Sequence, residues 1–264
     1  MNVSVLGCGW LGLPLATELA SRGHHVRGSV TQVDKLKVLA AAGIKGHRLE
    51  LIPELTGDTE GFFDADVLVI TLPPKRREPD AETRYPAQVA AVLRAIPESA
   101  HIVFTGSTSV YPDLGRAVTE ADADGDISAS GRAILAAEKL LGARNATILR
   151  LAGLYGYDRQ PGRRLAGRDV SGGDTPVNLV HRDDVLGALL SVIERGVEDI
   201  TLNVCAPQHP TRQAVYTRQA ERSGLAPPRF TEPHLQGYKL VSSEALQTAL
   251  GFTFLYPDPL ADTP

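Results

Sequence analysis

The stretch Asn2 to Gly12, NVSVLGCGWLG, restricts the folds open to this chain more than any other. Val3, Val5 and Leu6 form an apolar run of the right length for a buried strand, and the glycines at 7, 9 and 12 then satisfy G-x-G-x-x-G at its exit. Gly7 permits a tight turn, Gly9 lets the backbone approach a pyrophosphate with no Cβ in the way, and Gly12 lets the following helix pack close to the strand. That helix is expected to run to about Ser21, with Leu11, Leu15 and Leu19 facing a sheet and Gly23 as its stop. Its N-terminal amides then point at phosphate. Gly7, Cys8, Gly9, Trp10, Leu11 and Gly12 are therefore the candidate contacts of a bound dinucleotide.

The segment His25 to Val30 reads as the second strand, and its end discriminates between NAD and NADP, because an NAD site wants a carboxylate there for the ribose 2′-hydroxyl. Here Gly28, Ser29, Val30, Thr31 and Gln32 precede the first acid, Asp34. Ser29, Thr31 and Gln32 would offer hydroxyls and an amide to a 2′-phosphate, with Lys35 close behind. NADP is the expected cofactor and NAD the alternative, since no arginine stands at the strand end to grip the phosphate as a fork. Arg27 lies inside the strand and is expected to point elsewhere.

Asp34 to Ala42 has helical spacing, with Leu36, Leu39 and Ala40 inward and Gly43 as the stop, and a weak third strand follows near Gly46 to Leu51. Val67 to Thr71, VLVIT, suits a parallel strand buried on both faces, and Pro73-Pro74 ends it. Lys75, Arg76 and Arg77 then read as a solvated turn. A helix from about Thr83 to Ala95 and a strand from His101 to Thr105 complete another repeat. Strands alternating with helices predict an α/β fold built on a doubly wound parallel sheet of Rossmann type, with a small C-terminal substrate lobe. Such sheets place ligands at the carboxyl ends of their strands, which adds Leu72, Pro73, Pro74, Thr105 and Gly106 to the cofactor contacts.

A net charge of -4 and a pI near 6.0 argue against a nucleic-acid or anionic-membrane role. Two distant cysteines, Cys8 and Cys205, fit a reducing cytoplasm and no structural zinc. The apolar N-terminus has no basic stretch before it and carries glycines where a secretory segment must be helical, so no signal peptide is expected.

The strand HIVFT runs into GSTSVYPDLG, Gly106 to Gly115. Further on come TILRLAGLYG, Thr147 to Gly156, then VNLVHRDDV, Val177 to Val185, and TLNVC, Thr201 to Cys205. In these segments and their order the chain resembles the extended and atypical short-chain dehydrogenases/reductases, the group that includes nucleotide-sugar epimerases and dehydratases. The resemblance covers nearly the whole chain. It implies that Ser107 hydrogen-bonds a substrate carbonyl or hydroxyl and that Tyr111 packs in its loop. It also implies that His181, Asp183 and Asp184 are structural rather than metal ligands, one of the aspartates capping a helix; no metal is expected. The implied division is 1–152 with 177–206 as the dinucleotide-binding domain and 153–176 with 207–264 as the lobe. A homodimer is implied through the helices near Thr83 to Ala95 and Gly131 to Leu141, where the alanines at 133, 136 and 137 would permit close contact.

The family's chemistry rests on a Tyr-x-x-x-Lys pair whose lysine lowers the tyrosine pKa. In SASGRAILAAEKLL, Ser128 to Leu141, setting Glu138 on the family's glutamate puts Ser130 in the tyrosine position and Ile134 in the lysine position. Neither can replace its counterpart, so cofactor binding carries over and the proton-transfer machinery does not. The chain is most similar to shortened bacterial members in which this motif is degenerate. Substitute acids are available in Tyr155 and Tyr157 of the LYGYDR loop, with Arg159, Arg163 and Arg164 behind them to hold an anionic substrate. Thr211 is expected to cap a helix ending at Gly224, a last helix should run from about Ser242 to Leu250, and the insert Gly162 to Asp174 is expected to be mobile without ligand. The small lobe favours a compact, polar or sugar-derived substrate. The reading is an NAD(P)-dependent oxidoreductase or epimerase/dehydratase-like protein, the alternative a nucleotide sensor that has lost catalysis.

Overall fold

The computed structural model of the chain describes residues 1–74, 80–232 and 237–261; Lys75, Arg76 and Arg77 lie outside them. The N-terminal half alternates as expected: β1 (Asn2–Leu6), α1 (Gly12–Ser21), β2 (His25–Val30), α2 (Leu36–Ala41), β3 (Lys45–Ile52), β4 (Glu54–Gly57), β5 (Val67–Ile70), α3 (Ala81–Ala95) and β6 (His101–Ser107). The remainder is more broken. It comprises β7 (Ala117–Val118), α4 (Ala129–Leu141), β8 (Ala146–Leu151), β9 (Gly153–Tyr155), α5 (Pro161–Leu165), β10 (Asp169–Ser171), β11 (Leu179–His181), α6 (Arg182–Arg195) and β12 (Thr201–Val204). Then follow α7 (Arg212–Arg222), β13 (Arg229–Glu232), β14 (Leu240–Val241) and α8 (Glu244–Leu250).

Eight strands form one sheet in the order β12-β8-β6-β5-β1-β2-β3-β4. β1 pairs parallel with β2 on one side and β5 on the other, so the strand order reverses at β1, which is where an open α/β sheet binds its ligand. The apolar runs explain the layering: every residue of β5 is buried, as is Val3 to Leu6 of β1, because helices cover both faces. Leu15 and Leu19 of α1 are fully buried, and Gly23, at φ +85°, ends that helix.

One strand departs from the expected parallel pattern. β4 returns antiparallel to β3 at the sheet edge, with Leu51 opposite Leu55. Its exposed, polar ELTG sequence carries no strand signal, and a close approach of Gly57 to the Arg48 carbonyl fixes the return. Ala40, expected inward, is exposed, because only Leu39 of α2 reaches the core.

The chain divides into two compact units: Met1–Val110 with Ile127–Arg150 and Leu186–Thr201, and Tyr111–Asp126 with Leu151–Val185 and Leu202–Pro264. The second unit is larger than the lobe expected from sequence, because Tyr111–Asp126 joins it and so do 151–152, 177–185 and 202–206, which the expected division gave to the dinucleotide-binding domain. β7 pairs with β14, and the Glu120 carboxylate accepts the Asn203 amide at 2.7 Å. The Gly162 to Asp174 insert is not bare loop: it carries α5 and β10, the latter paired with β13. Thr211 caps α7 by accepting the Ala214 amide at 3.2 Å, as its sequence implied. No described helix is long and apolar enough to cross a membrane.

Candidate active site

The glycine loop is packed below and open above. A Cβ on Gly12 would overlap the Gly7 carbonyl, and one on Gly7, which sits at φ +103°, would stand 2.9 Å from Leu72 Cδ2. A Cβ on Gly9 would meet nothing within 4 Å. Thr71 Oγ1 donates to the Gly7 carbonyl at 2.7 Å, and the Gly7 amide donates to Ser29 Oγ at 2.9 Å. The Cys8 amide donates to the Ser29 carbonyl at 2.8 Å. The N-cap of α1, Leu11, brings no side-chain acceptor of its own, so the helix end is left to an outside anion. This cradle fits a dinucleotide pyrophosphate, which the amides of Trp10, Leu11 and Gly12 would hold while Gly9, its own amide donating to the Gly7 carbonyl at 2.7 Å, leaves room for the approach.

Two of the expected contacts belong to the frame instead. Ser29 is 3% exposed and committed to the Gly7 amide, so it is withdrawn from any 2′-phosphate. Cys8 is buried with its sulfur against Gly28, where a Cβ would stand 2.6 Å away, and burial pushes its thiol up to about 12. It packs a crowded turn and is not a nucleophile. Thr31 and Gln32 are exposed at the end of β2. Beside them stands a residue that reading β2 alone misses. Arg48 of β3 lies in register with Val30, its Nε donates to the Thr31 carbonyl at 3.3 Å, and its Nη2 is 2.7 Å from Glu50 Oε1. The arginine absent from the end of β2 thus arrives from the neighbouring strand. Arg27, as expected, points away, donating to the Asp64 carbonyl at 3.0 Å.

At the ends of β5 and β6 the expected contacts are tied into the fold. The Leu72 carbonyl accepts from the Tyr85 hydroxyl at 2.7 Å, and Thr105 Oγ1 donates to the Ile70 carbonyl at 3.0 Å. Pro73 is exposed and Pro74 half-buried. Gly106 is required by a different neighbour, since a Cβ there would stand 2.8 Å from Glu138 Oε1. Glu138 in turn pairs with Arg150, Nη2 to Oε2 at 2.7 Å, with both side chains nearly inaccessible. Burial pushes the Glu138 carboxyl up and the Arg150 guanidinium opposes the shift.

Ser107 is half-buried, and its Oγ accepts the Ser109 amide at 3.2 Å, which leaves the hydroxyl proton to donate outward. Among the described residues the Ser130 hydroxyl meets that of Ser128, the helix cap, Oγ to Oγ at 3.1 Å, and Ile134 is buried in the core. The structure therefore sets neither a phenol nor a cation at the usual pair of positions.

In the second unit Tyr111 is a packing residue, as the resemblance implied, and its hydroxyl donates to Asn203 Oδ1 at 2.5 Å. The two candidate acids of the LYGYDR loop separate. Tyr155 has no accessible surface and packs with Val177, Leu179 and Val215, so it is a core residue rather than a proton donor. Tyr157 is half exposed, holds a positive φ of 54°, and donates its hydroxyl to Asp183 Oδ2 at 2.9 Å. The Arg182 guanidinium lies 3.7 Å from its ring centroid.

His181 sits at the centre of this group, 3.8 Å from the Tyr256 ring and 5.2 Å from Tyr155. Gly156 approaches so near that a Cβ would overlap the imidazole. Burial pushes the His181 pKa down, and Nδ1 accepts the Asp183 amide at 3.3 Å, which assigns the proton to Nε2. Asp184 is buried, and its carboxylate accepts the amides of Leu255 and Tyr256 at 2.6 and 3.1 Å. That holds the C-terminal segment and so seats Tyr256 on His181.

No protein-family model matches the chain. It is 39% identical to Protein YeeZ of Escherichia coli (strain K12) over 267 residues, covering 98% of this chain and 97% of that one. Among solved structures, the UDP-glucuronic acid 4-epimerase from Bacillus cereus in complex with NAD superposes with a TM-score of 0.79 at 17% identity, over 100% of this chain and 96% of that one. A short-chain dehydrogenase/reductase superfamily protein from Agrobacterium tumefaciens with bound NAD gives 0.77 at 18% identity, over 100% and 96%. A functionally unknown conserved protein from Silicibacter pomeroyi gives 0.76 at 23% identity, over 98% and 95%. At these identities the likeness to solved structures is one of fold.

Proposed function

Because this chain belongs to the same family as Protein YeeZ, with the fold of the epimerase/dehydratase-like short-chain dehydrogenases/reductases, we propose that it is a nicotinamide-dinucleotide-dependent oxidoreductase or epimerase-like enzyme acting on a small polar or sugar-derived substrate. The observation that carries the reading is the glycine cradle, closed beneath Gly7 and Gly12 and open over Gly9, in front of an uncapped helix end. NADP is the preferred cofactor, since Thr31, Gln32 and Arg48 meet a 2′-phosphate with donors at a strand end that carries no acid. When bound, the nicotinamide supplies hydride donation or acceptance.

Ser107 orients a substrate oxygen with the proton it keeps. Tyr157, in the second unit, is the candidate substitute for the missing phenol. Its hydroxyl already donates a hydrogen bond to Asp183, so it fits removal of a proton from a substrate hydroxyl: the phenol oxygen accepts that proton as its own passes to the carboxylate. A second reading, a nucleotide sensor without catalysis, is favoured by one observation, that the usual tyrosine and lysine positions hold a serine and a buried isoleucine.

The test is a screen of aldehydes, ketones, alcohols and sugar derivatives for hydride transfer, followed as NADPH absorbance, on wild type and on Ser107→Ala and Tyr157→Phe. Turnover that falls by about 10²-fold or more in Tyr157→Phe supports the enzyme. Tight cofactor binding with no turnover on any class moves the assignment to the sensor.

A further inference from the structure

Three rings and a glycine close round His181 in the second unit, and together they leave it little room to turn. Gly156 approaches its Nε2 edge so closely that a Cβ would overlap the imidazole. The Tyr256 ring lies 3.8 Å away, Tyr155 meets it edge to face at 5.2 Å, and the Tyr157 ring stands at 5.7 Å. Asp183 is the looser neighbour: its side chain is 26% exposed, against 6% for that of His181. A change of charge on His181 is therefore answered by movement of the carboxylate, not of the imidazole.

Two groups compete for that carboxylate. Its Oδ2 accepts the Tyr157 hydroxyl at 2.9 Å and stands 3.7 Å from His181 Nδ1, while its Oδ1 lies 4.0 Å from Arg182 Nε. With His181 neutral, Nδ1 accepts the Asp183 amide at 3.3 Å and makes no demand on the carboxylate, so Oδ2 is left to the phenol. A proton added at Nδ1 turns that acceptor into a donor facing a donor. The imidazolium then needs an acceptor of its own, and Asp183 Oδ2, carrying the opposite charge, supplies it.

We propose that His181 is a positioning residue for Tyr157, leaving the Asp183 carboxylate to the phenol while the imidazole is neutral and drawing that carboxylate to Nδ1 once it gains a proton. The proposal rests on the enzyme reading above, in which Tyr157 exchanges a proton, and adds what controls that exchange. The titratable groups round the ring are Tyr155 and Tyr157 of the LYGYDR loop, Arg182 and Asp183 of α6, and Tyr256 of the C-terminal segment. Asp184, next in the chain, is committed to the amides of Leu255 and Tyr256. Burial lowers the His181 pKa; the Asp183 charge opposes this and the Arg182 charge adds to it. The bond between Tyr157 and Asp183 is therefore complete above about 6.5, the ordinary histidine value, and is lost as pH falls through the lower folded value.

The experiment is a titration of the full-length protein, without substrate, from about pH 8 to about pH 5, following the assigned tyrosine 13Cζ and histidine ring resonances by NMR. Tyr157→Phe identifies the Tyr157 signal by its loss. That signal is expected to shift with the same midpoint as the His181 ring, below about 6.5. Asp183→Asn keeps the size of the side chain and leaves the imidazole packed as it is. It should abolish the Tyr157 response and lower the His181 midpoint, because the Asp183 charge favours the imidazolium. A Tyr157 signal that stays fixed while His181 titrates, an undiminished response in Asp183→Asn, or a His181 ring that stays neutral across the whole range overturns the proposal. None of these outcomes touches the enzyme reading, which loses its phenol instead if Tyr157→Phe turns over as wild type does while the two titrations remain linked.

Discussion

The proposed preference for NADP turns on Arg48, and Arg48→Gln tests it. In the folded protein the guanidinium reaches the end of β2 from β3, touching the Thr31 carbonyl, and is about half exposed while paired to Glu50. A hydrogen bond to a charged group contributes about 1.5–3 kcal/mol. Exposure and competition from Glu50 place a 2′-phosphate contact here at the lower end, about 1.5 kcal/mol, or roughly a tenfold loss of NADPH affinity in the variant. NADH lacks the phosphate and should bind the variant as it binds wild type. Glu50→Gln releases the guanidinium from its partner and should tighten NADPH by a few-fold, since an exposed pair contributes roughly 0.2–1 kcal/mol. Calorimetric titration with both cofactors, at low and at physiological salt, measures all of this, and the NADPH advantage should shrink as salt screens the exposed charge. If Arg48→Gln weakens NADPH and NADH alike, the arginine supports the fold and does not read the phosphate. If it weakens neither, the assignment of the 2′ site to this strand end is wrong.

Gly106→Ala should destabilise the protein by about 1–3 kcal/mol, because the new methyl would stand 2.8 Å from Glu138 Oε1 and displace a buried ion pair; thermal unfolding within 1 °C of wild type would show that the pair relaxes without penalty. Stability should decline as pH falls below about 6.5, the ordinary histidine value. Burial lowers the pKa of His101, His181 and His209, so the contribution of their neutral forms is complete above the unfolded pKa and is lost as pH falls through the folded values. A flat melting temperature between pH 7.5 and 5 contradicts this, and His181→Gln should flatten the wild-type slope. The outer faces of α3 and α4 are proposed to form a homodimer, and Leu140, 40% exposed on α4, is its apolar contact. Sedimentation velocity should show a dimer at micromolar concentration that Leu140→Asp dissociates. The alanines at 133 and 137 are already buried within the chain, so they do not contribute to that interface.

What could be read from the chain was local, and what could not was set by contacts distant in sequence. The glycine loop, β1, α1, β2 and β5 follow from apolar spacing and glycine position within a window of some ten residues, and each element lies where that spacing puts it. The roles of Ser29, Gly106 and Arg48 were not legible, because each depends on a partner brought by strand pairing or helix docking: the Gly7 amide, the Glu138 carboxylate and the Thr31 carbonyl. The same holds for Asp184, expected with Asp183 as the one or other cap of a helix, whose carboxylate is used 71 residues away by the amide of Leu255.

The tyrosines of the LYGYDR loop show how far local pattern can mislead. Tyr155 lies on β9 and points into the core. Strand alternation would send Tyr157, two residues on, to the same buried side. Instead the backbone adopts positive φ at both Gly156 and Tyr157, 121° and 54°, and turns the second ring outward to 52% exposure. Glycine accepts that conformation without strain, and a tyrosine does not; the sparsely populated geometry costs of order 1 kcal/mol. Asp183 accepting the hydroxyl and Arg182 lying over the ring hold it there. A buried tyrosine would have needed none of this: the turn, the carboxylate and the guanidinium hold the Tyr157 ring outward while Tyr155 stays in the core, which is why Tyr157, and not Tyr155, is the phenol proposed to exchange a proton.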